Sequence, residues 1–147
     1  MSKKLQLKIV TPEKLILEEL VDSVTIPTTE GEITILADHI PIVAGLLSGD
    51  IVAISNGEHV PMAVSGGFVE VNKKNNMTTV AILADFAEHV KDISEAEITK
   101  AKARSEELRK QALNNEIIDF EHFESELERS LNRVKIADKW RTRKYRK

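Results

Sequence analysis

The hydrophobic period changes once along the chain, near Ile93, and this change constrains the fold more than any other feature. From residue 4 to about residue 87, apolar and polar residues alternate, as in Leu5, Leu7 and Ile9, which is the pattern of half-buried strands. Beyond Ile93, apolar residues recur every three or four positions, which is the period of a helix. The chain is therefore predicted to have a β part followed by an α part.

The β part contains about eight or nine short runs of strand type with no helix between them. This arrangement predicts an antiparallel sandwich or barrel. Asn56-Gly57 between two apolar runs indicates a hairpin, because a type I′ turn needs two residues with positive φ. Ser65-Gly66-Gly67 is predicted to be a second turn of the hairpin kind, in which the glycines supply positive φ.

The α part is predicted to contain two helices. A capping box at Ser94 and Glu97 begins the first helix, Asn114-Asn115 ends it, and Asp119 is a candidate N-cap of the second. The short connection predicts an antiparallel hairpin. Its narrow apolar stripes contain Ile98, Ala101, Ser105, Leu108 and Ala112 in the first helix, and Phe120, Phe123, Leu127, Leu131, Val134 and Ile136 or Ala137 in the second. Such a thin seam needs docking elsewhere for stability, which indicates a movable element.

The charge divides in the same way as the hydrophobic period. Residues 1–90 carry 6 lysines against 12 acidic residues, whereas residues 91–147 carry 15 basic against 12 acidic residues. Residues 139–147 contain six basic side chains with Trp140 and Tyr145. Contact with nucleic-acid phosphates is one interpretation of this basic tail, but the acidic remainder favours an acidic protein surface, and we expect no nucleic-acid partner. The absence of a signal segment or a long apolar run predicts no direct membrane insertion.

The sequence contains no pattern that is typical of a catalytic or metal site. It has no cysteine, nucleophile elbow, Walker A loop or dinucleotide fingerprint. Glu30 and Glu32 are paired acids, but they lie on a predicted exposed loop, whereas a general acid needs burial. We therefore expect a protein that is not an enzyme, with no catalytic residue and no metal site. The four histidines, His39, His59, His89 and His122, are widely separated and form no ligand pattern.

The order and spacing of several segments resemble the epsilon subunit of bacterial F-type ATP synthases. The segments are Val24–His39, Pro41, Leu46–Ile51, Ser65–Val71 and Thr79–Asp85, followed by the helical hairpin. The resemblance covers essentially the whole chain except the tail. It implies an N-terminal antiparallel β-sandwich of about ten short strands in residues 1–88. A C-terminal antiparallel two-helix hairpin in residues 89–138 and the basic tail of residues 139–147 follow.

The resemblance also implies a non-catalytic role in the central stalk of the rotor. Such a subunit binds the gamma subunit, the c-ring and the alpha and beta subunits in a hetero-oligomer, peripherally at the cytoplasmic face of the cell membrane. There it couples ion flow to ATP synthesis. The residues that match the family's c-ring contact are Thr28, Thr29, Glu30, Gly31 and Glu32, with His39 in the same pattern.

The resemblance implies that the hairpin is a regulatory element that inhibits ATP hydrolysis, with Arg129, Arg133 and Lys135 toward the beta and gamma subunits. Some bacterial members bind ATP through an Ile/Leu-Asp-x-x-Arg-Ala motif, and the matching candidates here are Glu97, Lys100 and Ala101. Capping accounts for Glu97, and lysine lacks the planar fork of arginine. Absence of a cofactor is therefore favoured, and ATP as a regulatory ligand stays an open alternative.

Two other functions remain as alternatives. A free ATP sensor would release heat on mixing with ATP, whereas a stalk subunit has no such requirement. A β-domain hydrolase with an appended hairpin would need a nucleophile and a base, and the sequence offers no pattern for either.

Overall fold

The computed structural model describes residues 3–93, 95–114 and 120–144. The predicted caps Ser94 and Asp119, together with Asn115 and Tyr145, lie outside the described residues. The chain divides into two compact units, Met1–His89 and Val90–Lys147. Each unit follows one of the two hydrophobic periods.

Eight strands form the first unit. They are β1 (Leu5–Val10), β2 (Leu15–Val21), β3 (Ser23–Thr28), β4 (Gly31–Leu36), β5 (Ile42–Gly45), β6 (Gly49–Ser55), β7 (Glu58–Lys74) and β8 (Met77–His89). Their order is β2-β1-β8-β7-β6-β3-β4, with β5 on β7. Every described pairing is antiparallel except that of β1 with β8. The predicted β-sandwich is confirmed, with eight strands rather than about ten.

The strand count differs because β7 is one continuous strand where the sequence predicts two. Its first half pairs with β6 and its second half with β5. Gly66 and Gly67 have φ of 66° and 121°, as predicted, but the predicted turn at this point is wrong. Pairing with β8 continues on both sides, at Ser65↔Phe86 and Gly67↔Ala84. The glycines therefore bend a paired strand, because β8 holds it across the bend.

The core of the sandwich is aliphatic. Alternate residues of the strands point inward, so each strand contributes every second side chain. β2 approaches β6 although several strands separate them in the hydrogen-bonded order. The bent sheet therefore faces itself. The largest fully buried side chains are Leu5, Leu7, Ile9, Val21, Val24, Ile26, Ile35, Ile51, Met62, Val64, Val69 and Ile82.

The hairpin predicted at Asn56-Gly57 is confirmed. Both residues have positive φ, 52° and 81°, and they follow the pair Ser55↔Glu58 that closes β6 on β7. Asn75 and Asn76 make a second such connection between β7 and β8, with φ of 50° and 65°. Asparagine tolerates this conformation better than most residues, so both connections follow from local chemistry.

The second unit begins with a 3-10 helix, Val90–Asp92, followed by α1 (Glu95–Leu113) and α2 (Phe120–Lys144). The two long helices pack against each other. The predicted stripe of α1 is buried from Ile98 to Leu108, and the hydroxyl of buried Ser105 donates to the carbonyl of Ala101 at 2.9 Å. α2 extends to Lys144, so most of the predicted tail is helical. No helix in the described residues has the length and apolar character needed to cross a bilayer.

The close approach of β8 at the bend of β7 predicts that a side chain at Gly67 destabilises the fold. A Cβ at Gly67 would lie 2.0 Å from the carbonyl oxygen of Leu83, whereas at Gly57 it would meet nothing within 4 Å. Gly67→Ala should therefore cost more than about 3 kcal/mol of unfolding free energy. Gly57→Ala, which has only the backbone strain of positive φ, should cost about 1–2 kcal/mol. Urea denaturation of the full chain measures both, and equal losses would contradict this account of the bend.

Candidate docking loop and helical hairpin

The predicted ring-contact residues lie on a tight turn between β3 and β4. The strands pair at Pro27↔Glu32 and Thr28↔Gly31, which leaves a two-residue connection. Thr28 is only 1% exposed. Its hydroxyl donates to the carbonyl of Gly31 at 2.5 Å and accepts the amide N–H of Glu30 at 3.2 Å. Thr28 therefore shapes the turn from inside and does not face a partner.

The remaining residues of the turn face solvent, namely Thr29, Glu30, Gly31 and Glu32. The turn is also tied to the rest of the sandwich. The amide of Thr29 donates to the carbonyl of Gly45 at 3.0 Å, and the amide of Leu47 donates to the carbonyl of Pro27 at 2.9 Å. Two exposed carboxylates are thus displayed on a backbone held at both ends. We call residues 28–32 the docking loop.

His39 lies at the opposite end of β4 from the docking loop. β4 is six residues long, so its ends are roughly 17 Å apart. The ring of His39 approaches its neighbour's backbone, with Nδ1 2.7 Å from the carbonyl oxygen of Ile40. Beside it, Lys3 and Lys73 donate to Asp38 and lower the pKa of that carboxyl. The structure does not bring His39 together with the docking loop.

The outer face of the sheet carries an apolar row, three of whose four side chains are exposed, that was not predicted from the sequence. The strand pairings place its members side by side, because Leu15 pairs with Val10, Val10 with Leu83, and Leu83 with Phe68. The exposed fractions are 63% for Phe68 and 57% for Leu83. We call Leu15, Val10, Leu83 and Phe68 the apolar row. Phe68 pairs with Gly45, the glycine that binds the docking loop, so row and loop form one continuous surface.

Ion pairs connect the helices of the second unit, and two of them involve an arginine. Nε of Arg104 donates to Oε1 of Glu126 at 2.5 Å, and Nη2 donates to Oε2 at 3.1 Å. Two parallel hydrogen bonds of this kind are the strongest geometry by which an arginine binds a carboxylate. They raise the pKa of Arg104 and lower the pKa of Glu126. The second pair joins Arg133 to Glu97 at 3.7 Å.

The two arginine pairs have the same register. Seven residues separate Glu97 from Arg104, and seven separate Glu126 from Arg133. Seven residues are about two turns of a helix, so the two pairs lie on one side of the hairpin. In one pair the arginine lies on α1 and the glutamate on α2, and in the other pair the positions are reversed. The arrangement therefore fixes the antiparallel alignment of α1 and α2.

Known proteins match this architecture over nearly its whole length. A family model described as ATP synthase, Delta/Epsilon chain, beta-sandwich domain, matches residues 4–90. The chain is 39% identical over 136 residues to the ATP synthase epsilon chain of Nitratidesulfovibrio vulgaris, which covers 92% of this chain and 97% of that relative. It is 42% identical over 134 residues to that of Halalkalibacterium halodurans, covering 90% and 96%. The chain belongs to the ATP synthase epsilon chain family.

The resemblance inferred from sequence is thereby confirmed. The fold also resembles a chain of the Euglena gracilis mitochondrial ATP synthase, in a cryo-EM structure of OSCP, F1 and c-ring in rotational state 1. The TM-score is 0.65 at 24% identity, covering 97% of this chain and 82% of that chain. The similarity of fold thus extends over both parts of the molecule.

The three candidate nucleotide residues of this epsilon chain face different surroundings. Glu97 is half-buried and pairs with Arg133, whereas Lys100 is exposed. Ala101 is buried in the stripe that also contains Ile98. ATP binding at these positions remains a prediction.

The three candidate inhibitory residues do not form one patch either. Arg129 and Arg133 are one turn apart on α2 and share a face, but Lys135 lies roughly 200° around the helix from Arg133. Arg129 and Lys135 are exposed, and Arg133 is half-buried. Their contact with other subunits remains a prediction.

Arg104 and Glu126 were not recognised from the sequence. A partner across two helices depends on their register, which the apolar stripe specifies only to within a turn. One signal was present, since Arg104 and Glu107 have the spacing of a pair within one helix, and their charged groups lie 3.2 Å apart. Among the described residues, no three histidine, aspartate or glutamate side chains converge on a metal position.

The Arg104–Glu126 pair predicts a pH dependence. The pKa of Glu126 is lower in the folded chain, mainly through its hydrogen bonds from Arg104 and further through His122. Its contribution is therefore complete above the ordinary glutamate pKa and is lost as pH falls from about 5 through the lowered pKa. Glu126→Gln should destabilise the helices at pH 7, and its difference from wild type should shrink toward pH 3.

Circular dichroism at 222 nm during thermal unfolding measures this difference. Glu107→Gln is the matched control, because Glu107 approaches the same arginine from within α1 and is more exposed. A larger effect of the control, or a difference that grows on acidification, would contradict the assignment.

Proposed function

We propose that this epsilon chain is a non-catalytic rotor subunit that couples ion flow through a c-ring to ATP synthesis. The observation that carries the proposal is the docking loop, a polar turn held by backbone hydrogen bonds on a rigid sandwich. A coupling subunit must transmit torque, so its contact with the ring must not yield. A loop that is ordered before binding also loses less conformational entropy when it docks.

The ring contact is assigned to the exposed part of the docking loop. Glu30 and Glu32 offer four carboxylate oxygens to donors on polar loops of the ring. Charge-assisted hydrogen bonds of this kind are roughly twice as strong as neutral ones. Thr28 is excluded from the contact by its burial, and it supports the turn instead.

The gamma contact is assigned to the apolar row. Phe68 and Leu83 expose large side chains next to each other, and an aromatic residue in such a cluster is a typical anchor of a protein interface. The row adjoins the docking loop, so a stalk subunit that rises from the ring can bind the row while the ring binds the loop. Association with the cytoplasmic face of the membrane is then peripheral, through these partners within the hetero-oligomer.

The hairpin is assigned an inhibitory role. In the closed hairpin Arg133 is paired with Glu97, so it is not free to bind an acidic surface on the beta subunits. Opening of the helices releases both charges. We propose that Arg133, with Arg129, then contacts the alpha and beta subunits and blocks rotation in the hydrolysis direction. No cofactor is required, because Glu97 already has a protein partner in the closed state.

Two double substitutions, one in each proposed interface, test the two contacts separately. In pull-downs from detergent-solubilised membranes, Glu30→Gln with Glu32→Gln should reduce recovery of the c-ring about tenfold or more and retain gamma. Phe68→Ser with Leu83→Ser should do the reverse. Glu58→Gln is the control, because that exposed residue lies at the opposite end of β6 from the docking loop. Loss of both partners in either variant would contradict separate interfaces, and absence of both from wild type would contradict the function.

A truncation tests the inhibitory role. A chain that ends at His89 retains every strand of the sandwich and lacks both helices. We expect it to assemble and to raise ATP hydrolysis by the reconstituted complex several-fold, because the blocking element is gone. Hydrolysis is measured as phosphate release. Unchanged hydrolysis with normal assembly would show that the hairpin does not inhibit.

A further inference from the structure

We infer that Gly45 is a positioning residue for the docking loop, and this inference rests on the proposed ring contact. Gly45 ends β5, and its carbonyl accepts the amide of Thr29 at 3.0 Å. A Cβ at Gly45 would lie 2.9 Å from Cγ2 of Thr29 and 3.3 Å from its Oγ1. The Thr29 side chain therefore occupies the space that a side chain at Gly45 would need.

The backbone at this position does not itself require glycine. Gly31, Gly57, Gly66 and Gly67 all have positive φ, whereas Gly45 does not. An alanine is thus compatible with the local conformation of β5, and only its contact with Thr29 opposes it. A substitution here reports on that contact and not on backbone strain.

Thr29 has little freedom to yield. Its side chain is branched at Cβ, and both γ atoms lie against Gly45, so rotation to a neighbouring staggered position still leaves one of them there. Rotation alone therefore leaves a tight contact, and its full relief moves the Thr29 backbone. Glu30 follows directly in the chain, so its carboxylate moves as well.

Gly45 also connects the docking loop to the frame of the sandwich. The next residue, Leu46, makes an isolated bridge to Thr28, and its amide donates to the carbonyl of Gly67 at 2.9 Å. The loop, the end of β5 and the bend of β7 thus form one hydrogen-bonded series. If an added side chain displaces Gly45, its connection to β7 resists the movement on that side, so the docking loop moves instead.

Five variants of the full chain test the fit. They are Gly45→Ala, Thr29→Ser, the combination of these two (the double variant), Gly49→Ala, and Gly49→Ala combined with Thr29→Ser. Serine keeps one γ atom and can turn it away from the new methyl group. Gly49 also lacks positive φ, but its Cβ would meet the ring of Pro27 at 3.3 Å instead of Thr29. It receives the same chemical change with a different neighbour.

Two measurements are made on each variant. One is affinity for detergent-purified c-ring, and the other is the set of amide chemical shifts of residues 29–31 in the free chain. Gly45→Ala should bind roughly tenfold more weakly and shift these amides, since overpacking of a close contact has effects of this size. The double variant should recover to within about twofold of wild type. Thr29→Ser should not correct any effect of Gly49→Ala.

The two measurements separate this inference from the proposed function. Amide shifts that change in Gly45→Ala and return in the double variant support the fit, even if wild type fails to bind the ring. That failure alone would overturn the ring contact. Unchanged shifts and affinity in Gly45→Ala, or no recovery in the double variant, would overturn the fit.

Discussion

The pairing of β7 with β8 is the interaction on which both surfaces of the sandwich depend. It runs from Met62↔His89 to Lys74↔Met77 and continues through the bend at Gly66 and Gly67. On one side of the bend β7 supports β6, and through it β3 and the docking loop. On the other side it supports β5 and presents the apolar row. One bent strand therefore holds the docking loop and the apolar row in a fixed relation within one surface.

The docking loop obtains its rigidity from polar contacts within a largely apolar domain. Thr28 is almost fully buried, and both of its hydrogen bonds go to the turn. A buried hydroxyl without partners would destabilise the fold, so the turn conformation and the burial of Thr28 require each other. The outward-facing side chains of the same turn are solvated and do not need hydrogen-bond partners within the protein. This separation allows Glu30 and Glu32 to be exposed and yet held in place.

Local chemistry was predictable from the sequence, and relations between distant segments were not. Asn56-Gly57 specifies its own turn, so the hairpin there followed from two residues. Gly66-Gly67 supplies the same local signal, but its outcome depends on β8 staying paired across it, which no local pattern records. Thr28 was grouped with the exposed loop because its burial depends on strand pairing. The match of Gly45 to Thr29 likewise requires that β5 lie beside the β3–β4 turn.

In the helical hairpin, ion pairs supplement a seam that buries little apolar area. Its seam includes Ala101 and Ser105, whose small side chains bury little surface, so the ion pairs weigh more in keeping the helices together. Because Arg104 and Arg133 are paired in one register, separating the helices breaks both pairs at once. In the proposed opening of the hairpin, water would solvate each charge again, which keeps the cost of separation small. An acidic surface that excludes water would bind the released arginines more strongly than solvent does. Under the proposed inhibitory role, the same two arginines would stabilise the closed hairpin in water and the open hairpin beside an acidic surface.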